Sequence, residues 1–491
     1  MARTNVELFK EFLEGWLARQ EHYLDELLTA KQNSHESRQE DLNDLTTRVL
    51  SHYWQYYDEK SLVVQQNIFL AFSPPWLTRL ERTFVWVGGF KPGLLFRIVK
   101  DSVDDLSEEQ SERASTLMRQ TKVEERALDE EMARIQESLA APPLLKLARH
   151  VGRLVNGKAV EEEEVLGSLK KGMQAMVDRA NLLRTSTVMK VVELLNPVQN
   201  VKFLTAVTQL QLRIRSWGLQ MDAERSESDG QDSIFGHNRL NPALARNGTT
   251  ALVSKTNNVK ALTIEFLERW LARQEHYLDE LLTPKQNSHE SGQEDLNDLI
   301  TRVLSHYRQY YDEKSLVAQQ NIFLDFSTPW LTRFECTFVW VGGFKPGLLF
   351  RIVKDSVHDL SEEQNERVSR LMRQTKVEER ALDEEIARIQ ESLAAPPLLE
   401  LARHVGRLVN EETVKEEEEE VLGSLKKGMQ AVVDRANLLR TSTLMKVVEL
   451  LSPVQNVKFL TAVTQLQLRI RSWGLQRDAE RRESSSNWSE S

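Results

Sequence analysis

Apolar residues recur every three or four positions along most of the chain, and this spacing predicts amphipathic helices. In residues 6–28 the apolar positions are Val6, Phe9, Phe12, Leu13, Trp16, Leu17, Tyr23, Leu24, Leu27 and Leu28. Residues 38–57 carry Leu42, Leu45, Val49, Leu50, Tyr53 and Tyr57 at the same period. Each set forms one stripe on one helix face, so we expect two helices that bury these stripes against each other or against a third element.

The next segments are short and strongly apolar. Residues 61–72 and 76–87 each fit a buried helix, and the tetrapeptide FVWV at 84–87 has the composition of a strand as an alternative. Gly88-Gly89 then breaks the pattern, and Pro92 is suited to open a further short helix through Ile98.

Local start and stop signals bound the later helices. Residues 107–110 (SEEQ) fit a capping box, which predicts a long helix to about Leu139, ended by Pro142-Pro143. A second long helix is predicted over 162–195.

Asn196-Pro197 provides a cap and a proline at the first helical position of the last helix, which we expect to reach Trp217 and end at Gly218. Sustained alternation of apolar and polar residues does not occur, so the predicted fold class is all-α.

The whole pattern occurs twice. Residues 11–37 return almost unchanged at 265–291, and the ungapped windows 11–100 and 265–354 differ at 10 of 90 positions. The offset is 254 residues, and it becomes 256 after the acidic stretch that follows position 155. A period this long is a duplicated domain, because solenoid repeats are much shorter.

These boundaries predict two tandem copies of a multi-helix domain, copy 1 at 1–222 and copy 2 at 259–484. Residues 223–258 are rich in Ser, Asn, Gly and Thr and are expected to form a flexible linker, and 485–491 a disordered tail. On such a linker, two similar surfaces are expected to engage one dimeric partner together.

Charge and cysteine content narrow the function classes. The chain has 491 residues with 64 Lys and Arg against 74 Asp and Glu, a net charge of −10, which argues against direct binding of nucleic acid. One cysteine excludes a disulfide scaffold. The charged N-terminus predicts no secretion, and the lack of an 18-residue apolar run predicts no membrane span.

The glycine-rich segment 88–93 contains Lys91 and invites comparison with a phosphate-binding loop. Such a loop needs converging amides and a Lys followed by Ser or Thr, whereas Lys91 precedes Pro92, which has no amide proton. We therefore interpret the segment as a tight turn between helices, where glycine permits close packing.

Histidines and acidic runs give no clear catalytic or metal site. The ten histidines include no pair spaced by four, and His52 and His306, beside tyrosines, are expected to be partly buried with satisfied hydrogen bonds. Residues 161–164 and 416–420 are glutamate runs that we interpret as solvated helix starts.

Other single residues favour structural roles. The tryptophans repeated in both copies are expected in the core, with a ligand groove as the alternative: Trp16, Trp76, Trp86, Trp217, Trp270, Trp330, Trp340 and Trp473. Trp54 is replaced by Arg308 in copy 2 and is expected to be exposed, while Cys336 replaces Arg82 and has no shared role. Asn247 begins a glycosylation sequon that the predicted lack of secretion leaves unused. We predict no catalytic, cofactor-binding or metal residue.

Several blocks resemble one known family. They include FLEGWLARQEHYLDEL (12–27), LSHYWQYYDEKS (50–61), LERTFVWVGGFKPGLLFRIV (80–99), VEERALDEEMARIQESLAAPPL (123–144), DRANLLRTSTVMKVVELLNPVQNVKFL (178–204) and LQLRIRSWG (210–218). The chain resembles the plant DELAY OF GERMINATION domain family, whose domain also forms the C-terminal part of TGA-type bZIP transcription factors. The resemblance covers nearly all of each copy.

The resemblance implies a non-enzymatic regulator of transcription that acts through helical protein–protein contacts in the nucleus or cytoplasm. It implies partners such as TGA-type bZIP factors, their co-regulators or protein phosphatases, and a homo-oligomer is a further possibility. No basic helix followed by heptad leucines occurs in these residues, so any DNA association is expected to be indirect. A small-molecule sensor of lipid or haem is the alternative, and a hydrolase is a weaker one.

Overall fold

The computed structural model of the chain describes residues 5–34, 37–140, 158–235, 254–286, 293–392, 394 and 411–487. Copy 1 consists of α1 (Asn5–Gln32), α2 (Gln39–Gln66), a 3-10 turn (Ile68–Ala71), α3 (Arg79–Thr83), α4 (Leu94–Ser102), α5 (Glu108–Ser138), α6 (Lys158–Leu194) and α7 (Pro197–Phe235). Copy 2 consists of α8 (Ser254–Gln286), α9 (Gln293–Gln320), α10 (Ile322–Ser327), α11 (Arg333–Cys336), α12 (Leu348–Ser356), α13 (Glu362–Ser392), α14 (Glu411–Leu450) and α15 (Pro453–Asn487).

The predicted all-α fold class is confirmed for the described residues. The only bridges of β type in them are isolated ones, between Trp86 and Gly89 and between Trp340 and Gly343. The FVWV tetrapeptide is therefore not a strand but leads into a tight turn. Of the two short apolar segments, 61–72 divides between the end of α2 and the 3-10 turn, and 76–87 contains α3.

The apolar stripes of the long helices meet in the middle of each copy. Helix α1 packs against α2 and α7, and α5 packs against α6. All eight repeated tryptophans are buried, with Trp16, Trp217, Trp270 and Trp473 at most 2% exposed. Since a fully buried large apolar side chain contributes about 1.5–3 kcal/mol, these residues are a main source of the stability of each copy.

The predicted caps are present. Ser107 Oγ accepts a hydrogen bond from the amide of Gln110 at 3.1 Å, and the Gln110 side chain accepts one from the amide of Ser107 at 3.0 Å. Asn196 and Gln199 make the same reciprocal pair at the start of α7. These bonds satisfy amides that the first helical turn leaves without partners.

The predicted end of the last helix at Gly218 is wrong. Helix α7 continues through Gly218 to Phe235. A Cβ atom at Gly218 would lie 2.1 Å from Oγ1 of Thr78, the N-cap residue of α3. The glycine is thus needed where α7 and the start of α3 approach closely, and it does not terminate the helix.

The ends of the predicted linker and tail also differ from expectation. Helices α7 and α8 extend into the segment 223–258 from both sides, and α15 extends to Asn487, inside the predicted tail. Residues 236–253 and 488–491 lie outside the described residues, as do Pro142-Pro143 and Asn247.

The two copies lie in contact. Helix α3 packs against α10, and the 3-10 turn of copy 1 packs against α11 of copy 2. The two predicted tandem copies therefore lie side by side, with their short elements in contact.

Candidate functional site

A strained turn stands at the centre of each copy. Val87 and Gly88 have φ angles of 44° and 77°, and the amide of Gly89 donates to the carbonyl of Trp86 at 3.1 Å. Val341 repeats the conformation in copy 2 with a φ of 45°. Positive φ at both central positions is typical of a two-residue hairpin turn, but it is costly for a β-branched residue. Surrounding contacts must therefore hold the turn in place.

The main clamp is Arg184 of α6, which is only 3% exposed. Its guanidinium donates to the carbonyls of Val87 at 3.0 Å and Phe90 at 2.8 Å, and also to that of Trp86. A Cβ atom at Gly89 would lie 2.9 Å from the guanidinium, so glycine is required there. Arg440 makes the equivalent bonds in copy 2.

Two carboxylates of α5 fix the other side of the turn. Asp129 accepts hydrogen bonds from the indole of Trp86 at 2.6 Å and from Lys91 at 3.1 Å. Glu125 accepts a hydrogen bond from the amide of Gly93 at 2.7 Å. Burial raises the pKa of the Glu125 carboxyl. Lys91 is thus bound to a carboxylate, and the interpretation of the segment as a closely packed turn is confirmed.

A second buried cation was missed by sequence reasoning. Lys60 is 2% exposed, donates to the carbonyl of Gly88 at 2.9 Å and lies 4.7 Å from the ring centroid of Tyr57. Burial, with a smaller contribution from Arg184, brings the pKa of Lys60 well below its ordinary value. Burial therefore disfavours the charged form of this lysine, and the carbonyl of Gly88 accepts a hydrogen bond from Nζ in either form.

In copy 2 the equivalent lysine, Lys314, has a carboxylate beside it. Asp325, which replaces Ala71, lies with a carboxylate oxygen 3.4 Å from Nζ of Lys314. Burial still lowers the pKa of Lys314, to about 8, while Asp325 acts to raise it. An aspartate within the otherwise apolar stretch NIFLDF was the sequence signal for this buried pair.

An apolar pocket lies beside the turn of copy 1. Its volume is about 180 Å³, and its wall includes Trp16, Tyr53, Tyr56, Phe90 and Leu94. The equivalent pocket in copy 2 holds about 90 Å³. Its wall contains Leu444 where copy 1 has Val188, which is smaller by one methylene group.

The cations at the wall of the larger pocket are already paired. Arg184 binds backbone carbonyls, Lys91 binds Asp129, and Arg215 donates to Glu81 at 2.8 Å. Burial raises the pKa of Tyr53 to about 12, so its hydroxyl stays protonated and lies 3.2 Å from Thr208 Oγ1. The pocket therefore suits a neutral apolar group better than an anion.

The expected burial of His52 and His306 is confirmed, but their expected hydrogen bonding is not. His52 is 5% exposed and stacks on Trp16 with ring centroids 4.4 Å apart, and His306 stacks on Trp270 in the same way. Burial lowers the pKa of His52 to about 4. Nε2 of His52 has no hydrogen-bond partner among the described residues, so the predicted satisfaction is wrong for that atom.

Two further expectations need correction. Glu418, in the predicted solvated run, is 8% exposed and forms an ion pair with Arg213 of copy 1, whereas Glu416 and Glu417 are exposed. Trp54, predicted to be exposed, is half-buried and lines the pocket of copy 1. Both differences come from long-range contacts that the local sequence does not contain.

Among the described residues, no three His, Cys, Asp or Glu side chains lie together in a way that could hold a metal ion. None of the helices in this described part of the chain contains an apolar stretch long enough to cross a membrane. The polar groups around the turn bind one another and the backbone, so the arrangement is a structural clamp next to a small apolar cavity.

Comparison with known proteins gives a consistent result. The family model described as DOG1, seed dormancy control, matches residues 23–101 and 278–355, one match in each copy. The protein RESPONSE TO ABA AND SALT 1 of Arabidopsis thaliana is 39% identical over 219 residues, which are 43% of this chain and 95% of that protein. The protein ZW2 of the same plant is 37% identical over 221 residues, 44% of this chain and 98% of that protein.

A more distant similarity extends to transcription factors. Transcription factor TGA7 of Arabidopsis thaliana is 27% identical over 213 residues, which are 43% of this chain and 56% of that factor. Each of these matches has the length of one copy, so the repeated unit is the part that these proteins share.

Proposed function

The chain belongs to the DOG1 family of seed dormancy control, and from that membership we propose that it takes part in the regulation of transcription by binding other proteins. It is a plant regulatory protein related both to DOG1-like proteins and, more distantly, to TGA factors. The observation that carries the proposal is that one copy spans nearly the whole of its nearer relatives but only about half of a transcription factor. The shared unit thus makes up nearly all of some relatives and is joined to other parts in the transcription factor.

The surface of each copy supports binding to proteins. Large apolar side chains are exposed at the same positions in both copies: Leu62 and Leu316, Val123 and Val377, Leu182 and Leu438, and Leu219 and Leu475. Leu182 and Leu438 are the most exposed, at 68% and 67%. Such side chains are unfavourable in water, and a partner surface that covers them gains the free energy of burying them.

The proposed role is non-enzymatic. The polar side chains of the site already form hydrogen bonds to the turn. They are Arg184, Asp129 and Glu125. Partners by family resemblance are TGA-type bZIP factors, their co-regulators or protein phosphatases, and the place of action is the nucleus or the cytoplasm.

Any association with DNA is proposed to be indirect. A protein that grips phosphates needs clustered Lys and Arg, whereas this chain has a net charge of −10. A gel-shift titration at physiological salt tests this with the chain alone, a TGA-type bZIP factor alone and both together. We expect no shift by the chain alone and a slower-moving complex with both.

The control for this titration is a variant in which Leu182 and Leu438 are both replaced by Glu. We expect the double variant to weaken or abolish the slower-moving complex if these side chains face the factor. A sequence-dependent shift by the chain alone at submicromolar concentration contradicts indirect binding, and absence of the complex with the bZIP factor contradicts that choice of partner.

A second candidate function is binding of a small apolar molecule, and the pocket of copy 1 favours it. Its volume of about 180 Å³ is below the roughly 300–1,000 Å³ of most ligand sites, so it suits a single ring or a short chain rather than haem. Thermal unfolding with decanol and with decanoate tests the expectation of a neutral ligand.

We expect stabilisation by decanol and less by decanoate, since the nearby cations are paired. The substitution Val188→Leu reproduces the residue of copy 2 and should reduce the effect, while Leu444→Val in copy 2 is the matched control. Equal effects of decanol on the chain and on the Val188→Leu variant would contradict binding at this pocket.

A further inference from the structure

The contact between the copies has a buried aromatic centre. Phe69, in the 3-10 turn of copy 1, meets Phe334 of α11 edge to face, with ring centroids 5.2 Å apart. Both are buried, and the guanidinium of Arg477 lies about 6 Å from each ring centroid. Aromatic pairs of this geometry add about 0.5–1.5 kcal/mol beyond the burial of their surface.

The contact also has the symmetry of a dimer. Lys122 pairs with Glu391 at 3.1 Å, and Lys376 pairs with Glu137 at 3.3 Å. Lys376 is the counterpart of Lys122, and Glu391 is the counterpart of Glu137, both at the offset of 254. An exchange of this kind is what a two-fold, isologous interface produces. The two copies are therefore related by a pseudo-two-fold axis.

Part of the sequence divergence between the copies lies at this contact. Of the ten differences between windows 11–100 and 265–354, four fall within the twelve positions 71–82. They are Ala71 and Asp325, Pro74 and Thr328, Leu80 and Phe334, and Arg82 and Cys336. A second group of four differences lies at 104–116, and the four at 71–82 are those that lie in or beside the elements by which the copies touch.

Arg82 and Cys336 occupy equivalent positions, and they lie close enough across the contact for the charge of one to act on the other. The charge of Arg82 acts on Cys336 across the contact, and the thiol interacts with the hydroxyls of Ser73 in copy 1 and Thr328 in copy 2. Equivalent residues that lie this close to each other also lie near the pseudo-two-fold axis. A pair of two first copies would thus bring two Arg82 side chains together, and such like-charge contacts are costly in an interface.

The aromatic contact has a similar asymmetry. Phe334 stands opposite Phe69, whereas α3 carries the smaller Leu80 where it packs against α10. A pair of two second copies would place a phenylalanine on both sides, with more volume than the observed contact holds. Overfilling a packed contact is destabilising, so the mixed pair is favoured on this side also.

We propose that the two copies form an internal, heterophilic dimer through the faces built by 68–83 and 322–336, and that their divergence there selects pairing within one chain over pairing of like copies. The partner for this surface is therefore the other copy of the same chain. Covalent linkage supports the choice, because a tether raises the effective concentration of the correct partner. This inference does not depend on the proposed role in transcription.

The test uses the full chain with a protease site inserted within 236–253. After cleavage, we expect the two halves to elute together in size-exclusion chromatography at micromolar concentration. The Cys336→Arg variant places two arginines near the axis, and we expect association of the cleaved halves to weaken about tenfold or more. Copy 1 already carries an arginine at this position, so the substitution is compatible with the fold of the domain.

The decisive control exchanges the two residues. Arg82→Cys in the same chain as Cys336→Arg restores one arginine and one cysteine at the axis, and we expect it to restore association. The double replacement of Leu182 and Leu438 by Glu, away from the contact, should leave association unchanged. Separation of the unsubstituted halves, or equal association with and without Cys336→Arg, would overturn the proposal.

Discussion

His52 and His306 couple the stability of the core to pH. Each imidazole stacks on a buried tryptophan, and burial lowers each pKa from 6.5 to about 4. In the unfolded chain each imidazole binds a proton when the pH falls below about 6.5, whereas in the folded chain it does so only below about pH 4. Folded-state stability is therefore lost as the pH falls through this window, and it is retained above it.

We predict that replacing His52 and His306 by Phe makes thermal unfolding less sensitive to pH between 6.5 and 4. Phenylalanine keeps the ring stack but binds no proton, so the melting temperature should fall less on acidification than in the unsubstituted chain. His22→Phe is the matched control, because the His22 side chain is 76% exposed. Identical pH profiles for the chain and the double variant would contradict the assignment.

Lys314 provides a second prediction at this scale. Asp325→Ala removes the carboxylate that raises its pKa, so the pKa of Lys314 should fall below about 8 and approach the behaviour of Lys60. Removing one partner of a buried pair often costs about 3–5 kcal/mol. We expect a smaller loss here, because copy 1 carries Ala71 beside its buried lysine.

The sign of the pH dependence checks this explanation. A buried amine that stays neutral destabilises the folded state increasingly as the pH falls below the unfolded pKa of 10.5. Urea unfolding should thus show a larger deficit for Asp325→Ala at pH 7 than at pH 9.5. Asp312→Ala, at an exposed position of the same helix as Lys314, is the control and should show little change at either pH.

At the scale of elements, the close approach of α7 to the start of α3 depends on Gly218. In an exposed helix, Gly→Ala stabilises by about 1 kcal/mol. At Gly218 the added Cβ would instead meet Thr78 Oγ1 at 2.1 Å and disturb the capping box between Thr78 and Glu81. The sign of the effect should therefore reverse.

We predict that Gly218→Ala lowers the free energy of unfolding by at least about 1 kcal/mol, measured by urea denaturation, since it combines a clash with the loss of a cap. Gly167→Ala is the matched control: it lies within α6, and a methyl group added there would meet nothing within 4 Å. It should raise stability slightly. A stabilising Gly218→Ala would contradict the importance of this contact.

At the scale of the whole molecule, each copy contains its own bundle and its own clamped turn, yet the two also share a buried contact. We predict that residues 1–235 and 254–487, expressed separately, each unfold cooperatively, because each retains a complete set of long helices. Each should melt at a lower temperature than the full chain, since Phe69 or Phe334 becomes exposed. Non-cooperative melting of both pieces would contradict independent folding.

The sequence by itself determined the local features of this protein. Helix periodicity, the capping boxes at Ser107 and Asn196, and the duplication follow from residues a few positions apart or from direct comparison of the two halves. The family resemblance found in those blocks agrees with the relatives that the chain matches. Such signals are readable because the interactions behind them are local.

Only the tertiary structure decided the clamp and the pairing. Arg184 binds carbonyls nearly one hundred residues away. The close approach of Thr78 requires a glycine at position 218. Glu418 is buried where it pairs with Arg213 of the other copy. Local periodicity assigns a residue to a helix face but does not say which distant group will lie against that face. Contacts between distant segments arise only when whole helices pack, which is why an acidic run could contain a buried ion pair and a helical glycine could mark a close approach.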